Sequence, residues 1–139
     1  MNKIFVLFSL LLSFNLSAQE GPRLKTLMAT MGGHAQGMLY GILYENYEMI
    51  DNAVAWVNNH EQPTADMAKI KEELGIEAVR FKYYDTLTHN AANAMGKAAK
   101  KKDLREVSKQ YATMVQSCTK CHDTFRERLR VVLHRDDNL

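Results

Sequence analysis

Cysteine occurs twice in this 139-residue chain, at Cys118 and Cys121, and His122 follows the second directly. A thiol is a soft nucleophile and an imidazole a metal ligand. On a helix, positions i, i+3 and i+4 fall on one face, so Cys118, Cys121 and His122 can meet one edge and one face of a flat group together. C-x-x-C-H is the attachment signature of a covalently bound haem. The two thiols would add to the two vinyl groups as thioethers, and the imidazole would stand beneath the iron as proximal ligand. The expected cofactor is therefore one haem c per chain, with Cys118 and Cys121 binding the macrocycle and His122 the iron.

Competing chemistries fit less well. A thioredoxin-like redox pair needs a βαβ context, and the chain shows no strand pattern. A zinc site wants four ligands, usually a second pair to match the first, and no second cysteine pair exists. A disulfide three residues apart inside one helix would be strained, because disulfide geometry is exacting.

The elements that must position these residues are helices. Residues 1–18 read as a secretory signal, with Lys3 as the positive start, an apolar run from Ile4 to Phe14, and small residues at Ser17-Ala18. The run is about 11 residues, where a membrane span needs about 20, so the mature domain, 19–139, is expected to be exported to the periplasm without stable membrane insertion. The formal charge is +2, and removing Lys3 with the signal leaves +1. That argues against nucleic acid as a partner.

Only Pro22 and Pro63 occur, and alternating β-branched runs are absent. Pro22 suits the first turn of a helix to about Leu43. Its apolar positions Leu24, Met28, Met31, Ala35, Met38 and Ile42 step by 4, 3, 4, 3 and 4. Gly32, Gly33 and Gly37 interrupt it, either for tight helix packing or for close approach to a cofactor. A second helix is predicted from about Asn46 to His60, with Ile50, Val54 and Val57 inward beside Trp56. Thr64 is expected to cap a short helix whose buried side is Met67, Ile70 and Leu74. Gly75 marks its stop.

A third long helix is predicted from Ile76 to about Ala99, with Phe81, Tyr84, Thr88, Ala91, Met95 and Ala98 on one stripe. Lys97, Lys100, Lys101 and Lys102 lie at its end, where cations complement the helix dipole. Asp103 then caps the last helix, with Glu106 in capping-box position. The stripe of that helix is Leu104, Val107, Tyr111, Met114, Cys118, His122, Phe125 and Leu129. The expected fold is all-α, an antiparallel four-helix bundle carrying the haem on the core-facing stripe of its last helix.

The placement of C-x-x-C-H only 17 residues before the end resembles the class II c-type cytochromes, the cytochrome c′ and c-556 group. Residues 81–126, FKYYDTLTHNAANAMGKAAKKKDLREVSKQYATMVQSCTKCHDTFR, look like the third and fourth helices of that family without a gap. RLKTLMATMGGHAQGM looks like its first helix. The connections around the second helix are shorter than the family pattern.

The resemblance implies that a first-helix residue opposes the proximal histidine, and Met28 stands at the matching place. A methionine there gives six-ligand iron and an electron carrier; an apolar residue leaves iron open to nitric oxide or carbon monoxide. Helix geometry agrees. His122 lies about 14 Å from the end of the last helix near Val131, and Met28 about 9 Å from Pro22, at about 1.5 Å per residue. Met31, at about 14 Å, is level with the haem too. His34 is expected at the surface.

Arg126, four residues after His122, matches a basic residue that the family keeps beside the proximal imidazole, and Arg23 lies near its first-helix arginine. Tyr111 and Phe125 are expected to face the haem. The implied partners are respiratory redox proteins, with a homodimer through the first two helices. No distal acid–base pair can be named, so the chain reads as an electron carrier and not an enzyme.

Overall fold

The computed structural model describes residues 21–133. The expected signal segment and residues 134–139 lie outside the described residues. The order is α1 (Leu24–Leu43), α2 (Tyr47–Asn59), a short α3 (Met67–Leu74), a 3-10 turn (Gly75–Glu77), α4 (Ala78–Lys100) and α5 (Leu104–Leu133). No strand occurs among the described residues. The fold is a helical bundle.

Short polar side chains start two of these helices. Asn46 Oδ1 accepts from Met49 N at 3.0 Å to open α2, and Asp103 Oδ1 accepts from Glu106 N at 3.0 Å to open α5. The capping box at α5 is half formed. Glu106 turns its carboxylate to Gln110 and Lys109 instead of back to Asp103, and Asp103 N bonds to the Ala98 carbonyl.

The expected cap of α3 is corrected. Thr64 N bonds to the Gln62 carbonyl, and the capping position falls to Asp66, which makes no side-chain bond within α3. Its carboxylate is taken elsewhere: Asp66 Oδ2 accepts from Leu24 N at 2.6 Å. The residue just before α3 thus caps α1, pinning the start of the first helix. Gly75 stops α3 with φ +51°, a left-handed conformation that glycine adopts freely. The chain then takes a 3-10 turn, so α4 begins at Ala78 and not at Ile76.

Two hydrophobic cores form. In the first, Met38 of α1 meets Ile50, Val54 and Val57 of α2, Ala91 and Met95 of α4, and Val107 and Met114 of α5. In the second, Leu24 and Leu27 of α1 meet Ile70 and Leu74 of α3 and Phe125 and Leu129 of α5. The expected stripe of α2 is buried, as are Ile70 and Leu74 of α3 and Thr88, Ala91, Met95 and Ala98 of α4, while Met67, Phe81 and Tyr84 are only partly buried. On α1 the register is corrected: Leu27 is buried, and Met28 stands at the edge of the stripe, 37% exposed.

The close approach between α1 and α2 is at Gly41, where a Cβ would come within 2.6 Å of Ile50 Cγ1. Gly32, Gly33 and Gly37 have open space beside them instead. None of them serves helix packing here.

Candidate haem site

The C-x-x-C-H stretch falls on α5 between the two cores, after Met114 and before Phe125. On α1 the matching interval lies between Leu27 and Met38, and it holds Met28, Met31 and His34. Where the core is interrupted, chemically active side chains gather.

Cys118 and Cys121 are free thiols, both partly buried. They turn toward α4, on which α5 chiefly packs. Burial pushes the Cys118 thiol up, and the Thr88 hydroxyl beside it acts the other way. Burial pushes Cys121 up to about 11, helped by the negative charges of Cys118 and Asp85. Both thiols therefore rest protonated at neutral pH. They are protected from casual oxidation until a partner reaction consumes them.

Tyr111 is partly buried and packs on the first core. Its phenol is raised by burial and by the nearby charge of Cys118, which places it beside the first cysteine. Phe125 is 1% exposed, with Phe81 and Tyr84 edge-on at 5.7 and 6.3 Å. It forms the apolar floor one turn beyond Cys121.

His122 is exposed, although it belongs to the stripe of α5 by spacing. Met28 is exposed as well, and Met31 packs partly against the first core. Arg126 is exposed on the turn after His122. Glu127 pairs with Arg130 at 2.6 Å. Arg23 stands at the N-cap of α1.

Several neighbours were not legible in the sequence. His34 is half-buried and stacks on Trp56 with ring centroids 4.3 Å apart, correcting its expected surface position. Trp56 tilts against His60 at 5.6 Å, and His60 against His89 at 5.2 Å. This row of rings crosses from α1 through α2 to α4. Thr88 and Asp85 of α4 reach the cysteines. The i, i+4 spacing of Asp85 and His89 is the one sequence signal that points to this group.

A separate cavity of about 380 Å³ opens between α1 and α2, lined by Gly33, Gly37, Met49 and Asn52 among others. No residue of α5 lines it, although His34 on its wall belongs to the α1 interval that matches C-x-x-C-H.

The residues present fit a haem. Two thiols three positions apart share a face with apolar neighbours, an imidazole follows on open surface, and a thioether side chain stands uncovered on α1.

A sequence-family model described as Cytochrome C' matches residues 51–126. Searches of curated proteins and of solved structures return no significant match. The matched segment runs from α2 through α4 and α5 to the turn after His122, and so contains the whole C-x-x-C-H stretch. Proteins of that family bind haem c with iron. With more than half of its length matched and the attachment residues inside the match, this chain belongs to the cytochrome c′ family.

Proposed function

We propose that this protein is a periplasmic mono-haem cytochrome that carries electrons, with Cys118 and Cys121 as thioether anchors, His122 as proximal ligand and Met28 as distal ligand. The observation that carries the reading is that Cys118, Cys121 and His122 lie on α5 between Met114 of the first core and Phe125 of the second, inside the segment that the family model matches. Members of the family are electron carriers or gas binders and generally not enzymes, and they are typically periplasmic. No helix among the described residues is long and apolar enough to cross a membrane.

The arrangement is read as an antiparallel four-helix bundle. The start of α1 shares a core with the end of α5, and the end of α1 shares the other with the first half of α5. Gly41 faces α2, and Met28 is thirteen residues away, about 140° round the helix at 100° per residue. Met28 therefore looks away from α2. On α5, Cys121 turns toward α4 and His122 is about 100° further round. Both proposed axial ligands are exposed side chains, Met28 on α1 and His122 on α5.

Bound haem supplies a one-electron couple. The chain's own part is to fix the group covalently through two sulfurs and to offer one imidazole and one thioether. A thioether favours the reduced iron, and apolar side chains such as Phe125 keep water away. Arg126 and Arg23 are candidates to pair with propionates, and Tyr111 lines the first cysteine. Redox partner proteins would dock weakly, over a small surface. Leu39, Tyr40, Leu43 and Tyr44 leave α1 with an exposed apolar end, which supports a homodimer through the first two helices.

One observation favours the second reading, a gas-binding protein with an open distal position. Leu27, and not Met28, occupies the buried register of α1. The absorption spectrum of the haem-loaded protein, oxidised and reduced, with carbon monoxide added to the reduced form, separates the two. A low-spin spectrum unmoved by the gas supports electron transfer with Met28 ligating. A high-spin spectrum with immediate carbon monoxide binding replaces it with the gas-binding reading.

A further inference from the structure

We propose that His60, Asp85 and His89 form a site for a divalent first-row transition-metal ion, where the end of α2 meets α4. One ligand atom from each lies within 4.8 Å of the others. Bringing three such atoms onto an ion with bonds of about 2.0–2.2 Å takes only small side-chain rotations.

The state of His60 sets this group apart from an incidental cluster. Its Nδ1 lies 2.9 Å from the Glu61 carbonyl oxygen, so that nitrogen carries the proton and donates it there. Nε2 is then left as a bare lone pair. It is buried, and it has no hydrogen-bond partner, a costly condition for a polar atom withdrawn from water. Metal-binding histidines show this tautomer, with one ring nitrogen held by a backbone carbonyl and the other on the metal.

His89 supplies the second imidazole, its Nε2 lying 3.5 Å from Asp85 Oδ1. Asp85 and His89 come from α4 and His60 from the residue just after α2, so the convergence is not imposed by a single helical repeat. Trp56 and His34 stack behind His60 and restrict its ring. Two neutral imidazoles and one carboxylate suit Zn²⁺ or a neighbouring divalent ion and leave a further position for water. Thiolate ligands are not required, although Asp85 also acts on Cys121.

The test is calorimetric titration of Zn²⁺ into the haem-loaded full chain, with haem loading and folding checked by absorption and circular dichroism. One equivalent at micromolar affinity is expected. His60→Ala and His89→Ala should each weaken binding at least tenfold, Asp85→Asn somewhat less, and Glu72→Gln, an exposed carboxylate of α3, should leave it within about threefold. Zinc-edge X-ray absorption of the unaltered protein should show a nitrogen/oxygen shell near 2.0–2.1 Å with imidazole scattering and no sulfur. That second measurement stands even where a variant fails to fold. Absence of saturable binding, affinity indifferent to both histidine substitutions, or a shell without imidazole would overturn the site.

Discussion

Two glycines on α1 of identical chemistry should respond to alanine in opposite directions. At Gly41 a Cβ would meet Ile50 Cγ1 at 2.6 Å and the Asn46 carbonyl at 3.1 Å, so Gly41→Ala should destabilise by about 1–3 kcal/mol through overpacking. At Gly37 nothing lies within 4 Å, and Gly37→Ala should stabilise by about 0.5–1 kcal/mol from helix propensity. Urea denaturation of the two variants decides. The cysteines yield a second expectation at this scale. With Cys121 held up to about 11, its alkylation before haem attachment should be about a hundredfold slower at pH 8 than for an ordinary thiol of pKa near 8.5, and should climb steadily to pH 11. An unhindered rate at pH 8 would contradict the burial described.

Single residues also show where sequence reading stops. C-x-x-C-H was legible because its chemistry depends on spacing alone. Leu27 against Met28 was not, since both are apolar neighbours and a stripe drifts by about 20° per heptad. His34 was misplaced because its partner, Trp56, is supplied by another helix. No pattern along α1 announces that contact.

Helix ends set the next scale. Asn46 and Asp103 cap as their sequence positions suggest, because each bonds three residues onward in its own helix. Asp66 works across 42 residues, accepting from Leu24 N while it is 7% exposed. A buried carboxylate at a helix N-terminus gains from both the hydrogen bond and the macrodipole. Asp66→Ala should therefore cost about 1–3 kcal/mol, and hydrogen exchange should show faster opening of the first turn of α1. Equal protection in the variant would remove Asp66 from this role. Arg128 makes a comparable tie, bridging α5 to Glu73 of α3 and to Glu77. The helices themselves were legible nearly to the residue, while the ties between them were not, since they join positions with no periodic relation.

For the molecule as a whole, the divided core matters most. The first half buries valines, methionines, alanines and Ile50, the second buries leucines with Ile70 and Phe125, and Trp56 packs partly against both. Covalent loading should therefore bind the halves into one cooperative unit. The double variant Cys118→Ser, Cys121→Ser, which cannot be loaded through sulfur, should unfold at a markedly lower temperature and less steeply than the loaded protein by calorimetry. Equal midpoints and equal cooperativity would mean that the two cores already communicate without the cofactor. The bundle itself could be predicted from apolar spacing, but the division could not, because spacing does not say which buried residues touch.

The row of rings has one more consequence. Trp56 is the chain's single tryptophan, with the His34 imidazole stacked on it and the His60 imidazole tilted against it. Its fluorescence thus comes from one place in the bundle, at the level of the interrupted core. Attached haem would absorb that emission, and a protonated imidazole would quench it. The light from Trp56 should be almost extinguished in the loaded protein and return on unfolding of the unloaded chain, which makes the fold its own optical gauge of whether its centre is filled.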